Sequence, residues 1–111
     1  MSKIGDYIRK ARKGRRLGLR ETARRADISA TYISRMESGA EPNPPSEKVI
    51  VRLAWVLNEN PVNMMIIAKR MPRSIHNYIM SVDNIVTFLK LAEGSGCDSD
   101  YFKTLIRQLT S

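Results

Sequence analysis

LRETARRADISATYISRMESG, residues 19–39, reads as two short helices separated by a turn too tight for one helix to run through. The first limb places Leu19, Thr22, Ala23 and Ala26 at i, i+3, i+4 and i+7, one narrow stripe of mostly small side chains. Ala23 is small enough to let a second helix come close. Asp27 tolerates the left-handed backbone of a helix end, Ile28 is apolar, and the Ser29 hydroxyl is placed to cap the second helix. The second limb, 30–38, turns Ile33 and Met36 inward. Ala30, Thr31, Ser34, Arg35 and Ser38 share its opposite, small and polar face.

The charge around this stretch is lopsided. Residues 1–40 hold 11 Lys and Arg against 4 Asp and Glu, whereas residues 41–111 hold 8 against 7. A net charge of +8 and a pI near 10.1 point to a polyanionic partner, and the imbalance assigns that partner to the N-terminal half. A slim polar helix face amid arginines suits the major groove of double-stranded DNA. At 111 residues and 12.6 kDa the chain has room for one small domain with a helical appendage, not for two large domains. Cys97 is the sole cysteine, which excludes an intramolecular disulfide and a cysteine-based metal cage and fits a reducing cytoplasm. The charged start MSKIGDYIRK lacks an apolar run behind it, and the longest such run, MMIIA at 64–68, is far too short for a bilayer. The expectation is a cytoplasmic protein without membrane contact.

Reading outward, residues 3–13 form a first helix, with Ile4, Tyr7, Ile8 and Ala11 on its buried face and Gly14 as its stop. Three prolines in GAEPNPP, 39–45, forbid helix there. Ser46 caps a helix over 47–57 with Val49, Ile50, Leu53, Ala54 and Leu57 as its stripe, and Asn60-Pro61 starts another, running to about residue 71. Pro72 marks a boundary between an N-terminal domain, 1–72, and a C-terminal helical region, 73–111. The latter reads as a short helix over 73–80, a longer one over 81–93, the turn Gly94-Ser95-Gly96, and a last helix over 98–109. The hairpin made by the last two helices cannot shield its own apolar faces. Their surplus is to be buried on the first unit or on a second copy of the chain; dimerisation is preferred, through Ile85, Phe88, Leu89, Phe102, Leu105, Ile106 and Leu109.

IGDYIRKARKGRRLGLRETARRADISATYISRMESG, followed by PPSEKVIVRLAWVLNENP, resembles the Xre family of lambda-repressor-like and Cro-like helix-turn-helix regulators across residues 4–72. The resemblance implies an all-α, five-helix DNA-binding domain whose third helix enters the major groove, here followed by a C-terminal helical hairpin. It places Ala30, Thr31, Ser34 and Arg35 where members contact bases, and Ser29 and Ser38 where they contact phosphate. It also implies a structural ion pair between Arg12 and Glu37 that locks the first helix to the third. Leu19 stands where many members carry a phosphate-contacting glutamine, Asp27 where a glycine is common, and Glu41 puts a negative charge in a loop that several members bring near the DNA backbone.

Chemistry supports the same face. Arg35 can give two parallel donors to guanine O6 and N7; the plain alternative is a solvated or phosphate-bound arginine. Thr31 and Ser34 suit a base, a phosphate or a local cap, and Tyr32 either leans on sugar-phosphate or packs against a neighbouring helix. Arg20 and Arg24, at i and i+4, repel unless an anion lies between them, which assigns them to phosphate. His76 has no metal-ligand neighbours in sequence, and no catalytic triad or phosphate loop is present, so no metal, no cofactor and no enzymatic activity are expected. Trp55 and Met64-Met65 read as core or dimer contacts, and Cys97 as a reduced thiol or a redox switch. The expected function is a sequence-specific transcriptional regulator, a repressor by preference, bound as a homodimer to a two-fold-related operator. The alternative is an antitoxin or adaptor whose C-terminal helices hold a protein partner.

Overall fold

A computed structural model describes residues 3–111, and every regular element among them is a helix. In chain order these are α1 (Lys3–Gly14), α2 (Leu19–Ala26), α3 (Ala30–Ser38), α4 (Glu47–Leu57), α5 (Pro61–Ile67), α6 (Arg73–Ser81), α7 (Asp83–Gly94) and α8 (Ser99–Thr110). Residues 1 and 2, the start of the expected N-terminal domain, lie outside the described residues. The chain divides into two compact units, Met1–Pro72 and Arg73–Ser111.

Side chains start α3, α4 and α5, whereas α2 follows Gly18 without a side-chain cap. Ser29 Oγ accepts from Tyr32 N–H at 3.0 Å, Ser46 Oγ from Val49 N–H at 3.3 Å, and Asn60 Oδ1 from the N–H groups of Val62 and Asn63, with Pro61 at the first helical position. Left-handed residues end helices of this unit: Asp27 (φ 56°) after α2, Gly39 (φ 81°) after α3 and Asn58 (φ 53°) after α4. The end of α1 agrees with the sequence expectation and the end of α5 differs from it. Gly14 is the last helical residue of α1 and Arg16, at φ 56°, makes the reversal. Helix α5 stops at Ile67 rather than near 71, because Lys69 turns left-handed at φ 55°.

The core of this unit is filled by inward residues from each helix: Ile4 and Ile8, Ala23 and Ala26, Ile33 and Met36, Ile50, Leu53, Ala54 and Leu57, and Met64 and Met65. Helix α1 packs on α3, α2 on α3 and α4, and α4 on α5, so α3 is held from behind by two helices and its other face is left to solvent. Full burial of an Ile or Leu stabilises by about 1.5–3 kcal/mol, which makes Ile8, Ile33, Ile50, Leu53 and Leu57 the main source of cohesion. Of the two readings of Trp55, core or dimer contact, the first is overturned: it is 86% exposed on α4 and takes no part in the core.

In the second unit α6 packs on α7. Asp98 caps α8 by accepting from the N–H groups of Asp100 and Tyr101, and the Tyr101 and Phe102 rings meet edge to face at 5.3 Å. Its only buried apolar residue among those described is Ala92. Ile85, Phe102 and Leu105 are partly buried, and Phe88, Leu89, Ile106 and Leu109 are exposed.

Candidate nucleic-acid interface

Helix α3 carries two chemically distinct faces. Ile33 and Met36 are buried, and beside them Glu37 is the one acid drawn inward. Glu37 Oε2 accepts from Arg12 Nε and Oε1 from Arg12 Nη2, both at 2.9 Å, with the two side chains 10% and 8% exposed. The remaining Arg12 nitrogen, Nη1, donates to the Leu17 carbonyl at 2.9 Å. One guanidinium thus joins α1, the turn before α2, and α3, with bidentate geometry that offsets its desolvation. The Glu37 hydrogen bonds push the Arg12 guanidinium above its ordinary pKa, against the effect of burial. A second strut, Tyr7 Oη donating to Glu59 Oε2 at 2.8 Å, ties α1 to the segment between α4 and α5.

The outer face presents Thr31, Ser34, Arg35 and Ser38 exposed, with Ala30 partly buried. The hydroxyl of Ser29 is engaged as the α3 cap, and Ser38 Oγ donates to the Arg35 carbonyl at 3.2 Å while accepting from Ala40 N–H at 3.3 Å. Tyr32 is half-buried against the first-unit core. Burial first and the Glu41 charge second push its hydroxyl above the ordinary tyrosine range, with Arg70 pulling the other way. Arg35 is exposed, and its Nε lies 3.5 Å from Glu41 Oε2.

The basic residues around α3 fall into two groups. Arg9, Lys10, Lys13, Arg15, Arg16 and Arg20 are exposed. Arg24 and Arg25 are instead gathered by Glu21, through a two-point contact from Arg24 and a 2.7 Å bond from Arg25 Nε. Hydrogen bonds from Arg24, then from Arg25, lower the Glu21 carboxyl from 4.5 to about 2. Arg24 is thus held by Glu21, while Arg20, four residues earlier on α2, is exposed. The i, i+3 and i, i+4 positions of Glu21 are the signal that reveals this clamp. No spacing rule reveals Glu41 beside Arg35, since the two lie on opposite sides of a helix end. Among the described residues, no group of three or more His, Cys, Asp or Glu could hold a metal ion.

A buried-strutted helix with a polar outer face, set across a left-handed turn from a supporting helix in a basic five-helix unit, is the helix-turn-helix DNA-binding class. The chain belongs to the helix-turn-helix domain family, whose pattern it matches over residues 3–63. Among solved structures it is similar to a chain of the SinR protein/SinI protein complex, at 20% identity and a TM-score of 0.54, with 96% of this chain and 94% of that chain covered. At that identity the likeness is one of fold. No curated protein matches the sequence. No helix among the described residues is long and apolar enough to cross a membrane.

Proposed function

We propose that the protein is a cytoplasmic, sequence-specific transcriptional regulator, acting as a repressor, that binds a two-fold-related operator as a homodimer. The observation that carries this reading is the outer face of α3. It offers Ala30, Thr31, Ser34 and Arg35 in the basic half of the chain, on a helix fixed from behind by the buried Arg12–Glu37 pair. Arg35 supplies the guanine contact, worth about 1–3 kcal/mol of discrimination, and Thr31 and Ser34 the adjoining contacts. Ser29 and Ser38, at the two ends of α3, with Tyr32, Arg20 and Arg24, meet the phosphates; Arg24 does so by leaving Glu21. The second unit, 73–111, supplies the dimer contact through Ile85, Phe88, Leu89, Phe102, Leu105, Ile106 and Leu109; the exposure of Phe88, Leu89, Ile106 and Leu109 supports an occupant beyond the single chain. Two α3 helices about 34 Å apart then read half-sites one helical turn apart.

The test compares wild type with Arg35→Ala on the preferred duplex and on its single-base-pair variants. Loss of preference at one base pair per half-site supports the assignment; an unchanged preferred sequence sinks it. A second reading has its own observation. The structural neighbour comes from a complex of two different proteins, and the second unit here leaves Leu91, Ile106 and Leu109 open. In that reading a protein partner takes the place of the second copy, as for an antitoxin or adaptor.

A further inference from the structure

The carboxylate of Glu41 is brought to the recognition helix by the backbone as well as by charge. The N–H groups of Ala40 and Glu41 both donate to the Arg35 carbonyl, at 2.9 and 3.2 Å, so the chain leaving Gly39 doubles back over the last turn of α3. That reversal sets Glu41 Oε2 3.5 Å from Arg35 Nε, with the Glu41 side chain only 19% exposed against 52% for Arg35. From the other side the loop is pinned by Arg70, whose Nε and Nη2 donate to the carbonyls of Pro45 and Pro44 at 3.1 and 3.0 Å. Glu41 and Arg70 both act on the half-buried Tyr32 hydroxyl. A carboxylate fixed at both flanks of its loop is a preorganised group, unlike the solvated acids elsewhere on this surface.

A guanidinium can donate from its Nε side or from its two Nη atoms, and guanine O6 and N7 require two parallel donors. Engagement of Nε by Glu41 leaves the Nη pair for a base and removes rotamer freedom before DNA arrives, so less entropy is lost on binding. The same carboxylate repels phosphate, so a duplex that offers Arg35 no guanine meets an uncompensated negative charge. We propose that Glu41 is a specificity-determining residue: it holds Arg35 by Nε with the Nη pair aimed at guanine, and it weakens docking on sequences without that guanine. This rests on the reading of α3 as the base-contacting helix.

The experiment uses the full chain as wild type, Glu41→Gln, Glu41→Ala, Arg35→Ala and the Arg35→Ala/Glu41→Ala double variant. Dissociation constants are measured at about 150 mM salt, a level that suppresses charge-only binding, on the preferred duplex, its single-base-pair variants and a scrambled duplex. Melting curves accompany each protein, and Glu41→Gln keeps the side-chain size and every backbone bond of the loop. The expected result is about a 3-fold gain on scrambled DNA for both Glu41 variants. Discrimination at the base pair read by Arg35 should fall about 10-fold, with other positions untouched and no further loss in the double variant relative to Arg35→Ala. A uniform gain on every duplex with discrimination intact overturns the proposal and leaves the Arg35 assignment standing. An Arg35→Ala protein with unaltered preference overturns both.

Discussion

Arg12 concentrates three connections in one side chain, to both oxygens of Glu37 and to the Leu17 carbonyl, inside a unit whose other buried side chains, Thr22 apart, are apolar. Its removal leaves the Glu37 carboxylate buried without a partner, a change that costs about 3–5 kcal/mol. Arg12→Ala should therefore lower the urea midpoint sharply and weaken DNA binding through misplacement of α3, whereas a stability within about 0.5 kcal/mol of wild type would show the pair to be incidental. Glu21 makes the opposite case, an exposed acid between two exposed arginines. Its folded pKa of about 2 lies below the ordinary 4.5, so its contribution is present above the ordinary value and is lost as pH falls through about 2. NMR titration of the Glu21 carboxyl should show that depressed midpoint at low ionic strength and a rise toward 4.5 in about 1 M salt, where exposed charges are screened. A midpoint near 4.5 at all salt concentrations would remove the clamp on Arg24 and Arg25.

At the scale of elements, helix ends decide where α3 lies. Asp27, Asn58 and Gly39 take the left-handed backbone with residue types suited to it, whereas Arg16 and Lys69 take it with Cβ strain. Lys69→Gly should stabilise the protein by about 1 kcal/mol, read as a higher thermal midpoint; a lower midpoint would mean that the Lys69 side chain stabilises the end of α5 by more than its backbone strain costs. The second of these ends is also where the sequence pattern misplaces a boundary. Glycine and proline are strong signals of helix ends, so Gly14 marks the stop of the first helix, whereas a left-handed Lys gives no signal and the pattern carries α5 past Ile67. Helix identity is legible throughout, because the stripes Ile4–Ile8, Ile33–Met36 and Ile50–Leu53–Leu57 repeat at helical spacing and Ser29, Ser46 and Asn60 announce starts. The sequence leaves Trp55 as core or dimer contact for a related reason, as period alone does not say where an apolar stripe ends, and its exposure removes the core alternative. The pairing of Arg35 with Glu41 is out of reach of the sequence because it depends on the path of the chain after Gly39, which local pattern does not encode.

At the scale of the whole molecule, the two units differ in self-sufficiency. The first buries an apolar contribution from each of its five helices, and the second buries little beyond Ala92 while exposing Phe88, Leu89, Ile106 and Leu109. A chain cut after Pro72 should remain folded, sediment as a monomer and bind the operator far more weakly than the full chain, because one half-site contact replaces two. A truncated protein that still dimerises fully would move the dimer contact into the first unit, where the exposed Trp55 and Val51 of α4 lie. The decisive measurement is selection of bound duplexes from a random library by the full chain at about 150 mM salt, where attraction to phosphate alone is suppressed. A dimer presenting two α3 helices should recover an inverted repeat with half-sites about one helical turn apart; enrichment without sequence preference would contradict the regulator and turn attention to protein partners of residues 73–111.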